Sequence, residues 1–416
     1  MLNVSKPYKM KIRIKHLLLS FLSISIIAIC SNSFAQQSEI KIESPKAVPV
    51  IELSGNGYQR GLQHGKLLKN EIAEIYKKWK KDIENGTNEN ADTVIKRFYS
   101  ETNFIPAIKK WTPEILDEIN GIAKSSGQTF IDVYCFQMAD EFWIYLDKIT
   151  NTEKHHCSGI GVAAKGSNPT YIAQNMDLPS FMNGGQVLLH INANKNEPEQ
   201  YLLSSAGLVA LNGMNASGIG VTVNTLMQLS ASTDGLPVVC VIRGLLLKKD
   251  KKSALNFLQN VKHASGQNYI IGAIDSVYDF EASANKVVRY TPDANSQSLV
   301  YHTNHPISND DLKPWYKEKV EKVLSGAVSS NSSIRLQALK IRLNINNPSF
   351  SDNTIKATLR SKDNEKNPVC ITYQSDRDIF SFSSVIYTIG KNPTVQLTNG
   401  SPDLSEYALH KFTAKK

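Results

Sequence analysis

Cysteine is scarce in this chain, five residues in 416, and no two stand at the short paired spacings of a disulfide framework. A small fold stapled by bridges is thereby excluded. With 416 residues, 41% of them hydrophobic, the chain is long enough for a well-buried core in one large or two ordinary domains. Beyond the first 35 residues no run is long and apolar enough to span a bilayer. Internal repeats and low-complexity linkers are missing, which favours one continuous fold over independent domains. Glycine-rich phosphate loops, paired Asp/Glu glycosidase patterns and nucleic-acid stacking motifs are missing as well.

The first 35 residues have their own texture. Lys11, Arg13 and Lys15 make a positive opening, Leu17 to Ile29 is an apolar run, and Ser33-Phe34-Ala35 puts small residues at the two positions signal peptidase reads. Residues 1–35 are expected to be a secretory signal peptide, with Met10 the better start, and the mature chain to be exported to a periplasm or the outside. Lipoprotein anchoring at Cys30 would want a small residue before it, and Ile29 is not one. Losing the segment removes five positive charges and no acid, so a net charge of +9 becomes about +4. The basic clusters that remain, Lys77 to Lys81 and Lys248 to Lys252, are flanked by helical patterns and read as solvated faces, so no nucleic-acid partner is expected.

The mature N-terminal third reads as helical. Leu68, Ile72, Ile75 and Trp79 form one apolar stripe after the glycine-punctuated "RGLQHGK". A second helix is set to start at Thr112-Pro113-Glu114 and stop near Gly127, and a third pattern runs from Phe130 to about Tyr145. After His156 the texture changes to short strands: 159–164, 171–175, 186–191, 200–204, 208–212 and 218–224, each bounded by Gly, Asn, Ser or Pro. Helices are expected at 237–248 and 252–261, strands at 269–274, 277–282 and 287–291, helices between 310 and 343, and strands from 370 to 397. The segments are therefore a signal (1–35), a helical block (36–156) and a strand-rich block (157–416).

Cys157 heads the run Cys-Ser-Gly-Ile-Gly-Val, and Asp177 lies at the end of the next strand segment. A free thiol titrates near 8.5 and needs a base or a positive field to become a nucleophile at neutral pH. Were Cys157 the first residue of a chain, its own α-amine, titrating near 7.7 to 8.0, would be that base. The bland alternative is a buried, inert thiol, the reading given to Cys135.

The segments "HHCSGIGVAAKGSNPTYIAQNMDLP", "LNGMNASGIGVTVNTL" and "VYHTNHP" resemble the N-terminal-nucleophile hydrolases of the penicillin acyltransferase-like group, which includes relatives of conjugated bile acid hydrolases. The upstream "NGYQRGLQHG" and the downstream "SSVIYTIGKNPTVQLTNGSP" are similar to that family's opening and closing segments, so the likeness runs from about 50 to 410. It implies an α+β fold, a four-layer αββα sandwich with an N-terminal helical segment. It also implies that Cys157 is exposed by self-cleavage of the His156–Cys157 bond and forms an acyl-enzyme with an amide substrate. Asp177 matches the aspartate that holds the freed amine, Asn224 an asparagine near the nucleophile, Asn304 one that donates to the oxyanion, and Arg335 a cation beside the thiol. This chain departs from the penicillin acyltransferases in having His156 where they have Gly. Gln174 stands where bile acid hydrolases have Arg, which argues against glycine- or taurine-conjugated bile acids.

The expected activity is hydrolysis or transfer of an acyl group at a linear amide C–N bond, on a small N-acyl amide, with no metal or organic cofactor. Nothing in the sequence bears on oligomeric state. Three other readings stand beside it. A papain-like protease would use Cys157 with His302 and Asn304. A zinc site would draw on His155, His156, Cys157, His302 and His305. A secreted binding protein would keep the motifs as scaffold.

Overall fold

The helical opening follows from local signals in the chain. The computed structural model describes residues 47–150, 156–292, 298–344 and 350–413, the side chains of 148–150 excepted. The signal segment 1–35, Cys30 and His155 lie outside them. Helix α1 (Gly57–Leu67) starts at Asn56 and Gln59, which cap each other reciprocally. α2 (Lys69–Thr87) buries the expected stripe, Ile72, Ile75 and Trp79 among it, and α3 (Ala91–Glu101), which was not anticipated, buries Val94, Ile95 and Phe98. After α4 (Ile105–Trp111), α5 (Pro113–Ser126) has proline at its first position and ends at Gly127, whose φ of +80° is left-handed. The third pattern is two helices, α6 (Phe130–Gln137) and α7 (Ala139–Thr150), parted at Met138.

The remainder forms two sheets. The first has eight strands in the order β1-β4-β5-β6-β7-β8-β9-β10, and the second six in the order β11-β2-β3-β12-β13-β14. In the first, β1 (Val50–Leu53) runs parallel to β4 (Gln186–Ile191); β5 (Gln200–Ser205), β6 (Asn212–Asn215), β7 (Gly220–Thr225), β8 (Gln267–Ala273), β9 (Ser276–Ala282) and β10 (Val287–Tyr290) follow antiparallel. In the second, β2 (Ser158–Val162) lies between β11 (Leu299–His302) and β3 (Thr170–Pro179), and β12 (Ile379–Ile389), β13 (Thr394–Leu397) and β14 (Ala408–Lys411) complete it antiparallel.

β2 and β3 lie face to face with β7, β8 and β9. Outside the first sheet, α8 (Val238–Leu246) covers β6 and β7 and packs on α9 (Lys251–Asn260). After α10 (Lys317–Leu324), α11 (Asn331–Arg342) and α12 (Asp352–Leu359) cover the second sheet, where Leu339, Ile355 and Leu359 meet Ile160, Ala173 and Ile386. The layers are helix, sheet, sheet, helix, the expected α+β sandwich. Sandwiched on both faces, β3 is buried along all ten residues, which carries it past the expected 171–175 to Pro179.

Several elements differ from expectation. Residues 208–211 form a loop and not a strand; β1, β11, α12 and β14 were not anticipated, and strand structure in the tail begins only at Ile379. β1 also shows that the segment before residue 156 completes the sheet of the segment after it. The two are further tied by buried charge. Arg243 of α8 donates through both terminal nitrogens to Glu118 of α5 at 2.9 Å, and Arg60 of α1 reaches Glu118 at 3.2 Å and Glu197 at 3.0 Å. Glu118 and Glu197 balance the two guanidiniums, as burial requires, and the more exposed Glu114 stands 3.9 Å from Arg60 at the edge.

The "NGYQRGLQHG" motif acquires a packing reason. Gly57, Gly61 and Gly65 line the face of α1 laid against α5, and a Cβ on Gly61 would stand 2.1 Å from the Glu118 carbonyl oxygen, which is backbone and cannot yield. Gly86, in the last turn of α2, faces open space. Gly61→Ala is expected to destabilise the protein by about 2–3 kcal/mol through overpacking. Gly86→Ala is expected to be neutral or to stabilise by about 0.5–1 kcal/mol. Urea midpoints of the two variants against wild type provide the check.

Candidate active site

Cys157 and Asp177 meet because the β2–β3 hairpin folds them together. Ser158 pairs with Asn175, so the residue before β2 arrives beside the end of β3. The Cys157 thiol lies 3.7 Å from Met176 Sδ and 3.8 Å from the Asp177 carbonyl oxygen. Burial, with the Asp177 charge adding to it, pushes this thiol up to about 12, so the uncut chain holds it as a neutral S–H.

Asp177 is only 3% exposed, and neither carboxylate oxygen has a hydrogen-bond partner. Burial pushes its carboxyl up to about 7; the Ser381 hydroxyl, opposite it on β12 though outside hydrogen-bond geometry, and the Arg335 charge pull the other way.

Arg335 is buried at this centre. It has no exposed surface, and Nη1 donates to Cys157 O at 2.6 Å and Ser158 Oγ at 2.9 Å. Nη2 donates to Asn304 Oδ1 at 3.0 Å and Nε to Asn331 Oδ1 at 2.8 Å. Burial lowers its pKa to about 10, with Asp177 and Cys157 opposing. Asn304 donates one side-chain amide N–H to Thr225 O at 3.1 Å and its backbone N–H to Ser332 Oγ at 2.7 Å. An amide has a second N–H to offer.

Asn224 is placed differently. Its neighbours Val223 and Thr225 line the cleft at Cys157, whereas its own side chain turns between the sheets, donating to His302 O at 3.4 Å. A Cβ on Gly159 would stand 2.9 Å from Asn224 Oδ1, so the first glycine of the SGIG run lets β2 approach β7 this closely. Gln174 also lies between the sheets, bonded to Val223 O and to Asn212 Nδ2.

Two clefts flank the site. One, with about 730 Å3 of empty volume partly open to solvent, has Cys157 and Asp177 at one side. Its walls are Trp79, Phe136, Trp143, Phe181, Leu208 and Val238 with other apolar groups. Its polar spot is Asp140 at the start of α7, which accepts from Thr225 Oγ1 at 2.7 Å and Gln267 Nε2 at 2.6 Å. The other cleft is lined by His156, Gln228, Asn304, His305, Asn331 and Ser332 together with Met227, Val320 and Val323. Sequence reasoning missed Asp140, Asn331 and Ser332. The available signal for Asp140 was an acidic pair, Asp140-Glu141, inside an apolar pattern.

His302 cannot serve as a papain-type base. Its Nε2 is 2.8 Å from Glu281 Oε1 and its Nδ1 2.8 Å from Thr303 O, so both nitrogens donate. Burial opposes its charge, but Asp279 and Glu281 outweigh burial and raise its pKa. Nor do the histidines converge on a metal: His156 is with Asn331, His305 with Ser332, and among the described residues no three candidate ligands group together.

Helical layers around two face-to-face sheets, with a cysteine leading an inner strand, define the class: an N-terminal-nucleophile hydrolase fold. Residues 164–403 match the acyl-coenzyme A:6-aminopenicillanic acid acyl-transferase family, and the chain belongs to that family. It is 22% identical over 287 residues to the acyl-coenzyme A:6-aminopenicillanic-acid-acyltransferase 40 kDa form of Emericella nidulans, covering 66% of this chain and 77% of that one. Among solved structures, a Caenorhabditis elegans N-acylethanolamine-hydrolyzing acid amidase ortholog is 15% identical, covering 56% of this chain and 92% of that one at a TM-score of 0.37. A Clostridium perfringens conjugated bile acid hydrolase is 13% identical, with 62% and 97% covered at 0.40.

Asp177 links pH to stability with a definite sign. Its carboxyl titrates near 3.9 when unfolded and near 7 here, so the folded chain binds the proton more tightly. Stability from this group is full below about pH 4 and falls as pH rises towards 7. In an uncut Cys157→Ala background, Asp177→Asn removes that loss. Urea unfolding should show the Asn variant gaining on its parent between pH 4 and 8, by on the order of 4 kcal/mol at most.

Proposed function

We propose that this protein is an exported cysteine amidohydrolase that cuts its own His156–Cys157 bond. The freed Cys157 amine then takes the thiol proton, and the thiolate attacks an N-acyl amide to form a Cys157 acyl-enzyme that water releases. The observation that carries the reading is the Asp177 carboxylate, buried beside Cys157 with both oxygens unpartnered. An orphaned buried acceptor is costly, and cleavage would create an ammonium group on the neighbouring residue to satisfy it.

The remaining roles follow from placement. Arg335, hydrogen-bonded to the Cys157 carbonyl, supplies the fixed positive field that favours a thiolate. Asn304, held by Arg335 and Ser332, has an N–H to give a developing oxyanion. Asn224, turned between the sheets, fits support of the Asn304 loop through His302 O rather than contact with substrate. The aromatic and aliphatic walls of the larger cleft suit an apolar acyl group. Water is the favoured acceptor because an exported enzyme would meet little acyl-coenzyme A.

Intact mass of the purified protein tests the reading. Fragments 36–156 and 157–416 are expected, the second beginning with a free Cys157, and Cys157→Ala is expected to stay whole. Processing of Cys157→Ala at the wild-type rate would sink self-cleavage. Among N-acyl amines, β-lactams and conjugated bile acids, release should be fastest from amides with long or aromatic acyl groups. No release from any would favour the binding protein.

A further inference from the structure

Helix α11 begins at the bond proposed to be cut and touches the residue on each side of it. Asn331, the helix's first residue, meets His156 Nδ1 with its Oδ1 at 2.7 Å. One turn on, Arg335 Nη1 donates to the Cys157 carbonyl at 2.6 Å. Residues four apart share a helix face, and these two are tied together, since Arg335 Nε donates to the same Asn331 Oδ1 at 2.8 Å. The amide's direction is fixed from behind: Asn331 Nδ2 donates to Asn367 Oδ1 at 2.9 Å, and Asn367 Nδ2 donates to Asn364 Oδ1 at 3.3 Å. The group facing His156 is therefore an acceptor, and His156 Nδ1 carries the hydrogen.

We propose that Asn331 is the positioning residue for self-cleavage, reading a hydrogen-bond donor on residue 156 while Arg335 fixes residue 157. This rests on the self-cleaving reading and gives the bulky residue before the nucleophile a purpose. With both neighbours of the scissile amide anchored to one rigid turn, the carbonyl carbon of His156 is presented to the thiol in a restricted set of orientations. Cys157 Sγ bonds to that carbon, the carbon–nitrogen bond breaks, and the thiol proton passes to the nitrogen, which becomes the new α-amine. Water then adds to the thioester, leaving a carboxylate on His156, the thiol on Cys157 and one proton released. The anchor is needed only until the bond is cut, which suits a contact that spans the cleavage site.

The test follows cutting of the full-length chain made by cell-free synthesis, with a brief labelled pulse, an unlabelled chase and denaturing gels. His156→Asn places an amide N–H where the imidazole Nδ1–H stands; His156→Gln moves the donor outward by one methylene, and His156→Leu removes it. Cutting is expected within about twofold of wild type for Asn and slower by about tenfold for Gln and Leu, the scale of one lost hydrogen bond. Asn331→Leu should be slow too, and adding His156→Leu to it should slow it little further, because both remove one contact. Position 156 is half-buried, and Asn and Gln differ there by a single methylene, so their comparison separates donor placement from loss of fold. Equal rates for Asn, Gln and Leu would overturn the role given to Asn331. A wild-type chain that stays whole through the chase would overturn self-cleavage itself, and the anchor with it.

Discussion

A guanidinium with no exposed surface holds this centre together. Taking a cation out of water costs several kcal/mol unless fixed dipoles replace the lost hydration. Arg335 answers that cost with neutral acceptors: the Cys157 carbonyl, the Ser158 hydroxyl, and the side-chain oxygens of Asn304 and Asn331. Those acceptors come from the start of β2, the loop after β11 and the start of α11. The planar fork of arginine has donors in three directions, and the single point charge of lysine could not span the same set. Because the cation must stay solvated by these groups, their positions are mutually constrained, and the entry to β2 is rigid where the proposed chemistry needs it.

Much of this was legible in the chain, but unevenly. Cys157 and Asp177 could be paired from residues alone, since a short hairpin must bring the residue before one strand to the end of the next. Asn304 and Arg335 came from resemblance, and the burial of Arg335 was not anticipated. A signal existed: Ser332, Arg335 and Leu339 are the buried residues of α11, three and then four apart, so the arginine sits in the core stripe of its helix. The loop at 208–211 looked like a strand because its residues are apolar. They are apolar because Leu208, Ala210 and Leu211 line the cleft, and the loop is held by Gln137, which donates to Gly207 O at 2.6 Å and accepts from Val209 N at 2.9 Å. β1 escaped notice because only one of its four residues is buried, too few for alternation to register.

Gln137 belongs to the segment before residue 156 and the loop to the segment after it, and the same division runs through the buried cluster of Arg60, Glu118, Arg243 and Glu197. His64, also in the first segment, accepts from Gly207 N at 2.9 Å; it is fully buried, which lowers its pKa to about 4 and keeps it a neutral acceptor. A cut at residue 156 would convert all of these into contacts between two chains. Separating the chains would expose a sheet edge and part the buried ion pairs of Arg243 with Glu118 and of Arg60 with Glu197, a penalty of several kcal/mol beyond lost apolar burial. The first segment therefore has reason to stay after cutting. It contributes Trp79, Phe136, Asp140 and Trp143 to the cleft wall, so the acyl site would be shared between the products.

Charge balance sets the protonation of the uncut centre and what a cut would change. In the intact chain the site holds one buried cation, Arg335, a thiol kept neutral by burial, and a carboxyl pushed up to about 7 whose oxygens accept no hydrogen bond. Ionising the thiol here would add an anion beside Asp177 without adding a cation, which the low-dielectric surroundings oppose. Under the proposed cut a basic amine appears on Cys157 itself. Once it takes the thiol proton, ammonium and guanidinium face thiolate and carboxylate, two charges of each sign in one buried cluster. The same burial that keeps the thiol a neutral S–H in the intact chain would then strengthen its ion pairing in the cut one, so the switch lies in the number of charges and not in any movement of the fold.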